Sequence, residues 1–180
     1  MEVFIRCEIP DVPGALATLA GAIAEAGGDI LAVEVAETGP ETVIDDLWVT
    51  TQDIATLKDT IEHMADATLI HASPSRGLPG DATARLAAGI DALLTGAMSP
   101  EDGLPTLIGG LLRAQSAEMS VVGPEKKNRR MLALPVSNGV LVLEREYRFL
   151  DSESQRARQI ITVCEHATRL AEDLVDQSGR

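Results

Sequence analysis

The residues best suited to chemistry in this 180-residue chain form the short segment Asp11-Val12-Pro13-Gly14-Ala15. Pro13 suits a first helical turn, because its missing N–H would have no intrahelical partner there. Gly14 has no side chain that would cover the free amides of a helix N-terminus, where anions bind. We therefore predict a backbone cradle for a carboxylate or another polar ligand group. The alternative is that Pro13 and Gly14 only shape a strand-to-helix connection and bind nothing.

The elements that must position this segment are a strand before it and a helix after it. Residues 3–9 form a strand-like apolar run. After Gly14 the apolar residues recur at helical spacing, at Leu16, Leu19, Ala20 and Ile23. Gly27 and Gly28 then supply residues that tolerate a positive φ. We expect them to end the helix and to turn the chain into a second strand.

The order of strand, Asp11-x-Pro13-Gly14, helix, Gly27-Gly28-x-Ile30 and strand resembles the ACT domain, the regulatory module that binds amino acids in many metabolic enzymes and their regulators. The resemblance covers about residues 1–74. It implies a ligand between the first loop and the start of the second strand, often across a dimer interface. The ligand-binding positions that it implies are Asp11, Val12, Pro13, Gly14, Ala15, Gly28, Asp29 and Ile30.

One position departs from the resemblance and bears on the ligand. Where serine- or aspartate-family binders often show Asn before the Ile, this chain has Asp29. A carboxylate there would repel a ligand's carboxylate and attract its ammonium group. Loop chemistry and the resemblance together give a hypothesis: the amides of Val12, Gly14 and Ala15 receive the ligand carboxylate, and Asp11 or Asp29 holds its ammonium.

Hydrophobic periodicity extends this pattern to a complete first domain. Residues 30–37 and 42–51 alternate as half-buried strands, with Asp45 interrupting one apolar face. Gln52 and Asp53 are suited to cap a second amphipathic helix, and residues 68–72 form a fourth strand. The order βαββαβ predicts a ferredoxin-like α+β fold, with two helices on one face of an antiparallel sheet.

A Pro- and Gly-rich linker at residues 73–80 separates this domain from a second one, with the boundary near Leu78. We assign residues 1–77 to an ACT-like ligand-binding regulatory domain and residues 78–180 to a small second α+β domain. The second domain is expected to contain two helices, a three-stranded meander at 118–122, 131–136 and 139–146, and a long final helix. Ser152 and Gln155 form a candidate capping box for that helix.

The second domain resembles a shortened GAF domain, the fold of many small-molecule and nucleotide sensors. The residues that carry the resemblance are 132–136, 139–143 and 149–153, and it covers about residues 81–176. Typical GAF domains have a long segment that covers the ligand, whereas only residues 123–130 fill that place here. We therefore expect no covered cavity and assign this domain a mainly structural role, in dimerisation or partner contact.

Charge and composition argue against a nucleic-acid partner. The net charge is −13, with 14 acidic and 3 basic residues in 1–77 against 14 and 12 in 78–180. A nucleic-acid-binding face needs basic residues and stacking aromatics, and the aromatic residues are only Phe4, Trp48, Tyr147 and Phe149. The basic run at residues 126–130 is interpreted as a solvated hairpin tip rather than an anion or nucleotide site.

No sequence motif indicates a catalytic residue, a cofactor or a metal site. A P-loop, a Gly-x-Ser-x-Gly and a Gly-x-Gly-x-x-Gly after a strand are all missing from the sequence. No histidine stands at a metal-ligand spacing from another histidine or from a cysteine; the histidines are His63, His71 and His166. The two cysteines, Cys7 and Cys164, are expected to be buried free thiols. The longest uncharged stretches fall well short of the ~20 residues of a membrane span, so a cytoplasmic protein is expected.

These observations predict a cytoplasmic regulatory protein that is not an enzyme. Its ACT-like domain would sense a small molecule, most simply an amino acid, and transmit this through homodimerisation or a protein partner. The alternative is a ligand-free dimeric scaffold or protein-interaction module. An enzyme with an unrecognised site is a third and weaker hypothesis.

Overall fold

The computed structural model describes the backbone of residues 1–124 and 128–178 and the side chains of these residues as far as Leu170. Two positions of the basic run, Lys126 and Lys127, lie outside the described residues. The chain divides into two compact units, Met1–Pro79 and Gly80–Arg180. Each unit has its own hydrophobic core.

The first unit is built from four strands and two helices in the order βαββαβ. Their bounds are β1 (Glu2–Pro10), α1 (Ala15–Glu25), β2 (Asp29–Thr38), β3 (Thr42–Thr50), α2 (Ile54–Glu62) and β4 (Thr68–Pro74). The strands form one antiparallel sheet in the order β2-β3-β1-β4, so that β2 and β4 are its edges. This mixed α+β architecture confirms the predicted ferredoxin-like fold of the N-terminal half.

The core of the first unit follows from strand alternation. Val3, Ile5, Cys7 and Ile9 point to one face of β1 and pack with buried residues of β3, α1 and α2. The second helix begins as its sequence indicated, because the Asp53 carboxylate accepts hydrogen bonds from the Ala55 amide at 2.9 Å and the Thr56 hydroxyl at 2.7 Å. These contacts also lower the pKa of Asp53.

The described residues of the second unit form three helices and three strands. Their bounds are α3 (Pro79–Leu94), α4 (Pro100–Leu111), β5 (Ser116–Ser120), β6 (Met131–Val136), β7 (Gly139–Glu144) and α5 (Asp151–Ser178). Its core joins the buried faces of α4, β7 and α5, with Ile108, Leu141 and Ala157 all fully buried.

The strand order of the second unit corrects the predicted meander. A meander would place β6 in the middle, whereas the observed order is β5-β7-β6. The β6–β7 hairpin forms as expected, but β5 pairs with the far side of β7 through the register Ser116↔Glu144 to Ser120↔Val140. Hydrophobic alternation identifies strands without identifying their neighbours, so the sequence could not give this order.

The start of α5 also differs from the prediction. Asp151 is already helical, so Ser152 is not the N-cap, and the Glu153 carboxylate accepts a hydrogen bond from the Leu150 amide at 2.8 Å. Leu150 therefore stands at the N-cap and Glu153 reaches back to it, which is one half of a capping box. None of the helices that the structure describes is long and apolar enough to cross a membrane.

Candidate functional site

The candidate loop owes its conformation to Gly14. This residue caps α1 with φ +94° and ψ −13°, a left-handed conformation that L side chains rarely adopt. A Cβ placed on Gly14 would have no heavy atom within 4 Å. The backbone conformation therefore strongly favours glycine here, and the same position leaves open space in front of the helix N-terminus.

Two amides of the loop have no hydrogen-bond acceptor among the described residues. The Ala15 amide donates to the Val12 carbonyl at 3.2 Å, so this predicted ligand donor is already engaged. The amides of Val12 and Gly14 donate to no group among the described residues. The helix start thus retains unpaired donors, as the first turn of a helix must unless a side chain or ligand supplies an acceptor.

The loop forms one wall of an open depression of about 360 Å³. Its other wall is the turn between α2 and β4, which contributes Met64 and Asp66. These two turns are neighbours because β1 and β4 are antiparallel partners, with Glu8 opposite Thr68. Sequence reasoning missed Asp66; the βαββαβ order could have located it, since the residues before β4 must lie beside those after β1.

The lining of the depression does not include every predicted site residue. Val12, Pro13, Gly14 and Ala15 line it, whereas the exposed Asp11 does not. Gly28, Asp29 and Ile30 lie elsewhere in the chain's fold.

The glycines at the end of α1 have separate structural roles. Gly27 has φ +74° and donates to the Ala24 carbonyl, while Gly28 donates to the Ile23 carbonyl at 2.8 Å. These bonds form the Schellman motif that closes a helix C-terminus. Only Gly27 needs a positive φ; Gly28 is required for space, since a Cβ there would lie 2.7 Å from the Ile23 Cγ2. Because the Gly28 amide donates to the Ile23 carbonyl, it is not free to bind a ligand.

The two halves of the predicted site lie at opposite ends of the sheet in one chain. Asp29 is in register with Thr50, at one end of β3, while Pro10 is in register with Thr42, at the other. The eight residue-to-residue steps from Thr42 to Thr50 correspond to about 27 Å along the strand. Asp29 is exposed and Ile30 packs partly against the core. A single chain cannot bring Asp29 to the loop.

Electrostatics give no activated nucleophile in either cysteine. Burial raises the pKa of Cys7 to about 12, with the charges of Asp45 and Asp46 adding to the effect. Burial, followed by the charge of Glu165, raises the pKa of Cys164. Both thiols are protonated at neutral pH, and a thiol rather than a thiolate is a poor nucleophile. The residues that the structure describes contain no group of three or more potential metal ligands.

Comparison with known protein families identifies part of the first unit. Residues 3–67 match the ACT domain. The predicted N-terminal ACT domain is thereby confirmed, and its presence points to a regulatory module that binds a small molecule. A comparison with curated proteins gave no match. The GAF-like character of the second unit stays a prediction.

Solved structures resemble this chain only distantly. The regulatory subunit of aspartate kinase from Thermus thermophilus, in its ligand-free form, has a TM-score of 0.37 and 14% identity, covering 91% of this chain and 92% of that chain. An unknown protein from Galdieria sulphuraria has a TM-score of 0.36 and 10% identity, covering 92% and 91%. The regulatory subunit of aspartate kinase from Thermus flavus has a TM-score of 0.33 and 14% identity, covering 88% and 92%.

Proposed function

We propose that this protein is a non-catalytic cytoplasmic regulator whose ACT domain binds an amino acid. The observation that carries the proposal is the set of unpaired loop amides, at Val12 and Gly14, beside an open depression in a domain of this family. Such amides suit a carboxylate because they donate hydrogen bonds and lie at the positive end of a helix dipole. Asp66, on the opposite wall, offers a carboxylate for the ligand ammonium.

Asp29 takes part in the proposed site only if two chains combine. The edge strand β2 exposes Leu31, Val33 and Val35, the last of them 62% exposed. Antiparallel pairing of β2 with its copy would place Asp29 level with Thr38 of the second chain. Thr38 is in register with Val43, and Val43 with Ile9 at the end of β1. Since the candidate loop follows β1, Asp29 of one chain would lie at the end of the sheet where the second chain has its loop.

This arrangement gives a mechanism for regulation. A ligand held between a loop of one chain and Asp29 of another binds the dimer and not the separate chains. Ligand would therefore stabilise the dimer by mass action. The second unit would transmit the change through its own contacts with another copy or with a protein partner.

The alternative function is a ligand-free dimeric scaffold. The exposed apolar row on β2 favours it, because such a row is suited to self-association without any small molecule. The two functions differ in one respect: only the sensor changes its stability when a ligand is added.

The deciding experiment is thermal unfolding of the full chain against the twenty amino acids and common nucleotides. A ligand at about 100 times its Kd adds roughly 2.7 kcal/mol to the stability of the folded state. We expect one amino acid, or a few of similar structure, to raise the unfolding midpoint. No rise with any of them would overturn the sensor and leave the scaffold.

A matched pair of variants locates the site. Gly14→Asn adds a side chain in front of the loop amides, and asparagine tolerates the left-handed conformation better than other L residues. Gly21→Asn adds the same side chain in open space on α1, away from the loop. The ligand response should disappear in the first variant and persist in the second. A response that survives Gly14→Asn removes the loop from the site.

A further inference from the structure

The second unit contains a cavity of its own, of about 230 Å³. Its floor is apolar: Leu93, Leu104 and Cys164 are 3 to 5% exposed, and Met119 and Val136 are half-buried. The volume lies below the roughly 300–1,000 Å³ of pockets for drug-sized ligands. The cavity therefore suits a small molecule with an apolar body, whereas the sequence led us to expect a mainly structural role for this unit.

The rim of this cavity is polar and carries charges of both signs. Glu165 on α5 is held in place by Ser137, whose amide and hydroxyl donate to the same oxygen, Oε1, at 2.6 and 2.7 Å. The other oxygen, Oε2, accepts no hydrogen bond from the described residues. Glu101, in the first turn of α4, adds a second carboxylate to the rim.

Arg169 supplies the positive charge, one helical turn beyond Glu165. Residues four apart on a helix are placed to form an ion pair. Here Arg169 Nε instead donates to the Glu165 backbone carbonyl at 3.3 Å, because Ser137 holds the Glu165 carboxylate. The two Nη groups of Arg169 donate to nothing among the described residues. A carboxylate oxygen and a guanidinium thus border the same apolar cavity without neutralising each other.

We propose that this cavity is a second ligand site, for a small zwitterion with an apolar side chain. The ligand's carboxylate would accept hydrogen bonds from the Arg169 guanidinium, and its ammonium would donate to Glu165 and Glu101. Its side chain would fill the space above Leu93, Leu104 and Cys164. An aliphatic amino acid or methionine has this combination of groups at this size.

The same rim disfavours other ligand classes. Among the described residues of the lining, a phosphate or nucleotide would meet two carboxylates and a single guanidinium, and it would meet no aromatic ring on which a base could stack. A neutral apolar molecule would leave the charged groups of the rim without new partners. This site lies wholly within the second unit and does not depend on the loop at Gly14.

Methionine methyl groups test this site and the ACT site in one measurement. The chain has five methionines. Met119 lines the cavity of the second unit, whereas Met64 lines the depression of the first. We would label the methionine methyls of the full chain with ¹³C and titrate leucine, isoleucine, valine and methionine, with serine and glutamate as polar comparisons. Saturable shifts of the Met119 signal with the apolar amino acids are expected, and no such shift with serine or glutamate.

Two variants on α5 establish the role of the charge. Arg169→Gln removes the guanidinium at an exposed position, so the fold should persist, and the dissociation constant measured at Met119 should rise at least about tenfold. Arg158→Gln makes the same change at an exposed position outside the cavity and should leave the dissociation constant measured at Met119 unaltered.

Three outcomes would overturn the proposal. One is an unshifted Met119 with every ligand, and another is equal affinity in Arg169→Gln. The third is a shift that moves Met64 alone and vanishes in Gly14→Asn, which places the ligand in the first unit. The reverse result, a response at Met119 alone that persists in Gly14→Asn, would support this site, and the unfolding experiment with all twenty amino acids would decide the ACT site separately.

Discussion

Two adjacent aspartates of β3 have opposite surroundings. Asp46 forms a buried bidentate ion pair with Arg6, with Nε to Oδ1 at 2.6 Å and Nη2 to Oδ2 at 2.7 Å. Asp45 points to the face of the sheet away from Asp46, where its register partner on β1 is Cys7. Asp45 is 2% exposed. Its Oδ1 has no hydrogen-bond partner among the described residues. The first carboxylate is compensated in its ionised form, and the second is not.

The uncompensated carboxylate should make stability depend on pH. Burial, followed by the charge of Asp46, raises the pKa of Asp45 above its ordinary 3.8. The folded chain then holds this proton more tightly than the unfolded chain, so the free energy of unfolding falls as pH rises from 3.8 through the raised folded value. Asp45→Asn should abolish this fall. Its stability relative to wild type should increase between acidic and neutral pH in denaturant titrations.

Asp46→Asn is the matched comparison, because it makes the same change one residue away. It removes the negative charge from the buried bidentate pair with Arg6, and breaking such a pair costs about 3–5 kcal/mol in other proteins. A strong loss of stability at neutral pH is therefore expected. If Asp45→Asn kept the pH dependence of wild type, or if Asp46→Asn caused no loss of stability at neutral pH, the assignment of different environments to the two carboxylates would be wrong.

At the scale of elements, a single arginine joins three segments of the second unit. Arg145 lies between the rings of Tyr147 and Phe149, 4.0 and 4.1 Å from their centroids. It donates to the carbonyl of Leu112 at the end of α4, at 2.6 Å. It also forms two hydrogen bonds with Glu153 at the start of α5, at 3.0 and 2.6 Å. These contacts hold two helix ends to the segment after β7.

Arg145→Lys should therefore be strongly destabilising despite keeping the charge. An ammonium cannot reproduce the paired contacts with Glu153 or stack between two rings. We expect a loss of about 3 kcal/mol in urea unfolding, in the range for broken buried pairs. Arg156→Lys, at an exposed position of α5, should change stability by less than about 0.5 kcal/mol. A comparable small change in both would show that the buried arginine contributes little.

The start of α5 also shows where prediction from the sequence reaches its limit. Alternation and capping residues were sufficient for the strands of the first unit and for the Asp53 cap, because those signals are local. The sequence indicated Ser152 and Gln155 at the start of α5 and gave no signal for Glu153, because the partner of Glu153, Arg145, belongs to another segment. Asp66 was missed for a similar reason: its position beside the loop depends on the pairing of β1 with β4.

At the scale of the molecule, the edge strand β2 combines attraction and repulsion. Its exposed valines favour pairing with a second copy, whereas Asp29, Glu34 and Glu37 on the same strand oppose it. The whole first unit adds to the repulsion, with 14 acidic and 3 basic residues. The proposed dimer should thus be weak at low salt, and ligand or salt should strengthen it.

Sedimentation of the full chain across NaCl concentrations tests this balance. Salt shortens the screening length from about 30 Å at 0.01 M to about 8 Å at 0.15 M, so self-association should tighten as salt rises. Val35→Glu, which replaces an exposed apolar residue of the edge with another carboxylate, should weaken association at least about tenfold. Val163→Glu makes the same change on α5, where Val163 is 54% exposed, and should have little effect. Association that weakens with salt, or that survives Val35→Glu unchanged, would place the dimer interface elsewhere and separate Asp29 from the ligand.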